Sequence, residues 1–229
     1  FYGEPLARID QAGNMRGVQL ANLVVAPVQY NPVTNSISVY DSLQVEIIFS
    51  GMLKSKEDIS PTGKQSAYFD KTFSPVLNYD RNFSTPANQV PEKYVIVADP
   101  MFREALQPFV QWKTRRGFRV IQAYTSNPAV GNTTTSIKAY LKNLYTSATA
   151  SDPAPTFVLF VGDVEQVPTF RCLNHVSDLY YCEYTGDYLP DAFYGRFSAG
   201  TVAELLPQLN KTLQYEQCLM PDLSYLGNS

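Results

Sequence analysis

One histidine and three cysteines in 229 residues leave this sequence poor in the side chains that most often carry metal or thiol chemistry. Three cysteines, an odd number, are also too few for the disulfide framework of a small secreted domain. Charge is scarce: only 17% of residues are charged, and 18 Lys+Arg against 21 Asp+Glu give a net −3. With no basic stripe to neutralise phosphates or anionic lipid, neither nucleic acid nor a membrane surface is an expected partner. No stretch approaches the roughly 18 consecutive apolar residues of a membrane helix, so no membrane insertion is expected. The opening Phe1-Tyr2-Gly3-Glu4-Pro5 has no basic region leading into an apolar one, and no signal peptide is read there.

What is present is apolar and aromatic. Hydrophobic residues make up 45% of the chain and aromatics 13%, enough to bury one large core or two small ones. Sixteen Tyr and 16 Pro correlate with an extracytoplasmic bacterial protein, although no mechanism lies behind that correlation.

Residues 18–49 alternate with the period of a half-buried sheet. Val18, Leu20, Val24, Ala26 and Val28 share one parity of a first strand, and Ile37, Val39, Leu43, Val45, Ile47 and Phe49 one parity of a second. Asn31-Pro32-Val33-Thr34-Asn35 supplies the turn, which predicts a β-hairpin. Two strands alone are marginal in water, so their apolar face needs another surface. Residues 50–92 lose the periodicity but scatter Tyr68, Phe69, Phe73, Leu77, Tyr79 and Phe83, which predicts a linker that partly docks.

Strand and helix then alternate. Strands are predicted at 94–98, 118–124, 157–161 and 192–197. A first helix carries Phe102, Ala105, Leu106, Phe109 and Val110 and ends at Gly117. A second carries Ile137, Tyr140, Leu141, Leu144 and Tyr145 behind the capping threonines 133–135. A last one follows the box Thr201-x-x-Glu204 with Leu205, Leu206, Leu209 and Leu213, and Pro207 predicts a kink. This order predicts an α/β fold with a mostly parallel sheet flanked by helices, and a further strand after the last helix.

Two groups of residues could carry chemistry. Asp163 follows a buried strand, where parallel sheets bind ligands, and Asp187 and Asp191 flank a Gly- and Pro-shaped loop. The three carboxylates could share one hard cation with loop carbonyls, calcium rather than zinc because the donors are all oxygen. The alternative is that they merely cap strands and turns. Cys172, His175 and Cys182 form the second group, a candidate thiol enzyme or zinc site. It lacks a fourth ligand, an orienting residue and a visible oxyanion hole, and packed thiols with a surface histidine are the simpler reading. Trp112, Lys113, Arg115 and Arg116 read as the solvated last turn of a helix.

Several motifs in one order resemble a known family. Val161-Gly162-Asp163, Ser177-Asp178-Leu179-Tyr180-Tyr181, Gly186-Asp187-Tyr188, Gly195-Arg196-Phe197-Ser198 and Met220-Pro221-Asp222 with Ser224-Tyr225-Leu226 are similar to the first half of the catalytic domain of gingipain-type cysteine peptidases. The likeness is closer to the lysine-specific branch, and Pro108-Phe109-Val110, Trp112-Lys113, Gly117-Phe118 and Ile137-Lys138-Ala139-Tyr140 extend it upstream. Met15-Arg16-Gly17, Pro27-Val28-Gln29-Tyr30-Asn31-Pro32 and Val39-Tyr40 resemble the end of the β-rich propeptide of that family.

The resemblance implies a propeptide end over residues 1–50, a linker or activation segment over 51–91, and a caspase-like α/β amino-terminal subdomain over 92–229. It implies a secreted or cell-surface bacterial endopeptidase in zymogen form, acting on protein or peptide substrates. Its catalytic histidine and cysteine, and its acidic specificity residue, would lie in a second subdomain, so no residue here is assigned a catalytic role and this chain alone is expected to be inactive. That missing catalytic subdomain is the expected partner. The family's calcium site maps onto Asp163, Asp187 and Asp191 with the carbonyls of Tyr184 and Leu189; a one-residue shortening before Gly186 leaves Thr185 as the alternative to Tyr184. A non-catalytic, calcium-stabilised surface module for binding or adhesion is the competing reading of the same residues.

Overall fold

The computed structural model describes residues 5–48, 63–79 and 90–219. Its centre is a four-stranded, wholly parallel sheet in the order β10-β7-β5-β6, formed by β5 (Lys93–Ala98), β6 (Arg119–Tyr124), β7 (Pro155–Val161) and β10 (Phe193–Phe197). The runs Tyr94-Val95-Ile96-Val97-Ala98 and Phe157-Val158-Leu159-Phe160-Val161 are apolar at every position because β5 and β7 occupy the middle of the sheet, where both faces are covered. Parity divides them. Val95, Val97, Val158 and Phe160 face one core with Ile137, Leu141 and Tyr145 of α3 (Thr134–Thr146) and Tyr181 of α4 (Leu179–Cys182). Ile96, Ala98, Leu159 and Val161 face the other with Phe109 of α2 (Gln107–Arg115) and Leu205 and Leu209 of α5 (Val202–Glu216). The chain is therefore α/β as the pattern predicts, doubly wound, with the strand order reversing between β5 and β7.

The helix ends follow local chemistry. Asp99 caps a 3₁₀ turn (Pro100–Phe102) by accepting from the Met101 amide, and α2 ends at Gly117, whose φ of 89° lets the Phe118 amide reach back to Lys113. Thr133 and Ser136 form a reciprocal capping box on α3. On α5 Thr201 accepts from the Glu204 amide, but the Glu204 carboxylate takes the Gly200 amide at 2.7 Å, one residue earlier than the box rule expects. Pro207 lies inside α5, where its carbonyl partner four residues back is left without an N–H.

The amino-terminal region departs from the single hairpin expected over 18–49. There are two. Strands β1 (Ala7–Met15) and β2 (Val18–Val25) pair antiparallel, and β3 (Val28–Asn31) pairs with β4 (Ser36–Val39) around the expected Asn31 turn. Pro27 has no amide to donate, so the alternating run breaks there, and its first half pairs backward onto β1. That strand escapes pattern reading because a bulge between Gln11 and Gly13 interrupts its alternation. Leu43, Val45 and Ile47 are described but lie in no strand, and Phe49 lies outside the described residues.

Within the expected linker lies a helix, α1 (Ala67–Phe73), capped by Ser66. Phe69 stacks on Phe193 of β10 at 4.3 Å between ring centroids, and Tyr68 meets Phe157 of β7 edge-on at 4.8 Å. This helix closes the amino end of the sheet with aromatic rings. A short ribbon, β8 (Phe170–Arg171) with β9 (Val176–Ser177), precedes α4. Residues 50–62 of the linker, Phe83 and the motif residues 220–226 lie outside the described residues.

Candidate functional site

The residues that the sequence singles out fall at three places. At the carboxyl end of β7, Gly162 turns with φ 132° and Asp163 follows it, its amide bonded to the Ala199 carbonyl and its carboxylate accepting from the Val164 amide at 2.8 Å. Arg196 of β10 fixes this turn: it donates to the carbonyls of Gly162 and Val167 and forms a two-pronged pair with Asp178 at 2.7 and 2.8 Å. In the sequence Arg196 stands out only within Gly195-Arg196-Phe197-Ser198. Its role as the clamp between the loop after β7 and the entry to α4 comes from the fold.

Asp187 and Asp191 lie at the other end of the sheet. Phe193 pairs with Phe157 and Phe197 with Val161, so Asp191 precedes the amino end of β10 while Asp163 follows the carboxyl end of its parallel neighbour. Five paired positions separate them, about 17 Å of strand. The structure brings Asp187 and Asp191 together on one loop and leaves Asp163 apart. Among the described residues no three of His, Cys, Asp and Glu are grouped so as to hold a metal ion.

What the two aspartates hold instead is the tip of the β1–β2 hairpin. Each uses one carboxylate oxygen for its own loop: Asp187 Oδ1 accepts from the Leu189 amide at 3.0 Å and Asp191 Oδ2 from the Tyr184 amide at 3.0 Å. Each offers the other oxygen to the hairpin. Asp187 Oδ2 accepts from the Asn14 amide, and Asp191 Oδ1 from the Arg16 amide at 2.6 Å and the Tyr145 hydroxyl at 3.1 Å. Against Asp187 stands Gly13, with φ 144°, and a Cβ there would lie 2.7 Å from Asp187 Cγ, so only glycine allows this approach. The donors already present satisfy these oxygens, and in this arrangement the set does not fit a calcium ion.

The side chain of Arg16 continues inward and is 3% exposed. Its guanidinium donates to the carbonyls of Pro155 at 2.6 Å, Asp191 at 2.9 Å and Ala154 at 3.4 Å and to the Thr156 hydroxyl, and lies over the Phe69 ring at 4.7 Å. Nε alone is buried without an acceptor. Burial lowers the Arg16 pKa, opposed first by the negative charge of Glu92. Burial also raises the Asp191 pKa, against the hydrogen bonds from Arg16, Tyr184 and Tyr145. At Asp187 burial acts in the same upward direction, but the amides of Asn14 and Leu189 and the Thr185 hydroxyl outweigh it and the pKa is lowered. In the sequence Arg16 stands only within Met15-Arg16-Gly17; nothing local marks it as buried, because its acceptors, main-chain carbonyls and the Thr156 hydroxyl, lie 138 or more residues away.

Cys172, His175 and Cys182 do not assemble a thiol site. The Cys172 amide donates to the His175 carbonyl at 2.8 Å, closing the β8–β9 turn, while Cys182 is fully buried on α4 and burial pushes its thiol pKa up. No disulfide joins the described cysteines.

Comparison with known proteins adds the relationships. The model of the family described as Peptidase family C25 matches residues 87–228, and the C25 propeptide model matches residues 1–83. Lys-gingipain of Porphyromonas gingivalis is 34% identical over 229 residues, covering 99% of this chain and 13% of that protein. Gingipain R1 of the same organism is 26% identical over 231 residues, covering 100% of this chain and 23% of the relative. A solved structure titled "Structure of Protease" superposes with a TM-score of 0.56 at 38% identity, covering 59% of this chain and 30% of the other. This chain thus spans only a small part of the length of these relatives.

Proposed function

Because the chain belongs to peptidase family C25, with the family's propeptide match ahead of its peptidase match, we propose that it is the end of a propeptide followed by the scaffold half of a gingipain-like cysteine endopeptidase zymogen. The order of the two matches along one chain is the observation that carries this reading. The proposed division is 1–50 for the propeptide end, 51–91 for the connecting segment and 92–229 for the α/β subdomain. Protein and peptide substrates, and a secreted or cell-surface location in a bacterium, are part of the proposal, supported by similarity to Lys-gingipain and gingipain R1. Among the described residues no helix is long and apolar enough to cross a membrane.

The chemistry assigned to this half is positioning. A cysteine peptidase needs a thiolate, a base within hydrogen-bond reach and donors aimed at the developing oxyanion. The α/β half would supply a rigid sheet whose carboxyl edge, at Gly162, Asp163 and Ala199, is pinned by Arg196, and a catalytic half of the same protein would dock against that frame.

Two assays test this. The chain as given, incubated with lysyl and arginyl amide substrates under reducing conditions, is expected to give background hydrolysis only. Turnover abolished by Cys172→Ala or Cys182→Ala would overturn it. The full-length gene product is expected to cleave those amides once its connecting segment is cut; a product that stays inert after cutting would favour a binding module instead.

A further inference from the structure

Strand β6 lies at one edge of the sheet, paired with β5 and with no other described strand. The Arg119 amide donates to the Glu92 carbonyl at 2.9 Å and the Thr125 amide to the Ala98 carbonyl at 3.0 Å. A strand repeats every two residues, so the odd positions from Arg119 to Thr125 turn their main-chain groups toward β5, and Val120, Gln122 and Tyr124 turn theirs outward. The Tyr124 carbonyl is taken by the Asn127 amide at 2.9 Å in the turn that follows. The outward amides of all three residues, and the carbonyls of Val120 and Gln122, have no main-chain partner among the described residues. The usual protections of such an edge are missing too: β6 has no proline, no lysine and no bulge.

At the carboxyl end of this edge a recess of about 500 Å³ opens between β6 and the start of α2. Its hydrogen-bonding groups are unevenly committed. Gln122 Oε1 already accepts from Gln107 Nε2 at 3.1 Å and from the Tyr124 hydroxyl at 2.6 Å, and Asn127 Oδ1 accepts from the Ala129 amide at 3.0 Å. The side-chain N–H groups of Gln122 and Asn127 and the Ser126 hydroxyl are left for a ligand. Arg103 joins them: its guanidinium lies over the Tyr124 ring at 4.0 Å and enters no ion pair among the described residues. Free donors gathered around an unpaired guanidinium suit a carboxylate, which accepts hydrogen bonds and donates none. Glu104 is the one negative charge in the lining and opposes such a ligand. We propose that the free edge of β6 binds an extended acidic peptide segment as a fifth strand, with a Glu or Asp side chain of that segment seated against Arg103. Main-chain pairing supplies the affinity and the recess the choice of side chain. This inference goes beyond the peptidase reading and does not rest on it.

The test titrates the full chain with short capped peptides that alternate Thr and Val around a central Glu, Gln or Lys, and follows amide exchange and chemical shifts by NMR. The Glu peptide is expected to slow exchange at Val120, Gln122 and Tyr124 and to leave Ala123, whose amide faces β5, unchanged. It is expected to bind about tenfold more tightly than the Lys peptide, the margin of a charge-assisted hydrogen bond over a neutral one. Arg103→Gln should erase that preference, and Glu104→Gln should tighten binding of the Glu peptide by removing the opposing charge. Val120→Pro deletes one outward amide without entering the recess, a position where an edge strand tolerates proline, and should weaken every peptide alike. Melting checks that it folds; the Arg103 and Glu104 variants, both at exposed positions, carry the test if it does not. Exchange at the three outward amides that no peptide alters would overturn the edge site. Equal affinity for the Glu and Lys peptides, or a preference that survives Arg103→Gln, would overturn the acidic specificity. Protection that grows with protein concentration in the absence of peptide would give the edge to a second copy of the chain and overturn the peptide as its occupant.

Discussion

At Arg16 a buried charge is held by carbonyl oxygens and not by a facing carboxylate. Its side chain meets Ala154, Pro155 and Asp191 main-chain oxygens while its amide meets the Asp191 carboxylate, so one residue joins the hairpin to both β7 and the approach to β10. Charge-assisted bonds of this kind contribute about 1.5–3 kcal/mol in net terms, reduced here by the unpartnered Nε. Arg16→Ala is accordingly expected to lower stability by about 2 kcal/mol in urea unfolding, with Arg16→Lys intermediate because an ammonium cannot fork across several carbonyls. A change of a few tenths would mean that the pocket is indifferent to its guanidinium.

The two loop carboxylates should respond to acid in opposite senses. The Asp187 pKa is lowered in the folded chain, so its contribution is fully present above the unfolded value of about 4 and is lost as pH falls through the folded one. The Asp191 pKa is raised, so its ionisation disfavours the fold as pH climbs from about 4 to the folded value. Asp187→Asn is expected to flatten the loss of stability on the acid side. An acid limb identical to the parent's would show that the amides of Asn14 and Leu189 do not hold this carboxylate in solution.

Among the elements, α1 decides whether residues 63–79 are tether or structure. Phe69 and Phe73 are buried, and the helix carries the residues that seal the aromatic end of the sheet. Phe69→Ala should cost about 3–4 kcal/mol, as large-to-small changes at fully buried aromatics do, and should loosen the hairpin as well because Arg16 lies on that ring. The same packing predicts where proteases do not cut. Of the lysines and arginine in the connecting segment, Lys71 lies in α1 and Lys64 stands over the Tyr145 ring at 4.4 Å, so trypsin should spare both. Early cleavage after Lys64 or Lys71 would mean that α1 is not docked.

How much of this the sequence announces depends on where the partners lie. The four parallel strands and their helices are legible because burial on both faces writes continuous apolar runs, and capping writes Thr133, Gly117 and Thr201. Strand β1 is not, since its bulge at Gln11 and Gly13 breaks the alternation, and α1 is not, since seven residues with two buried rings hold too few turns to show a period. The aspartates are visible as carboxylates in turns, but that Asp163 and Asp191 belong to opposite ends of a parallel pair depends on strand register, which no local pattern encodes.

At the scale of the molecule, residues matched to a propeptide are seated on residues matched to a peptidase, through a polar tip at Arg16 and an aromatic helix at Phe69. Both contacts sit at the amino end of the sheet, opposite the carboxyl end that Arg196 braces. A peptide bond between the two segments is then not what keeps them together. Limited trypsin digestion of the intact chain followed by size-exclusion chromatography tests this directly. The account predicts that, after cleavage between Ser50 and Pro91, the fragment carrying Arg16 elutes with the α/β fragment as one species and separates from it in Arg16→Ala. A parent chain whose fragments elute apart as soon as the segment is cut would contradict it.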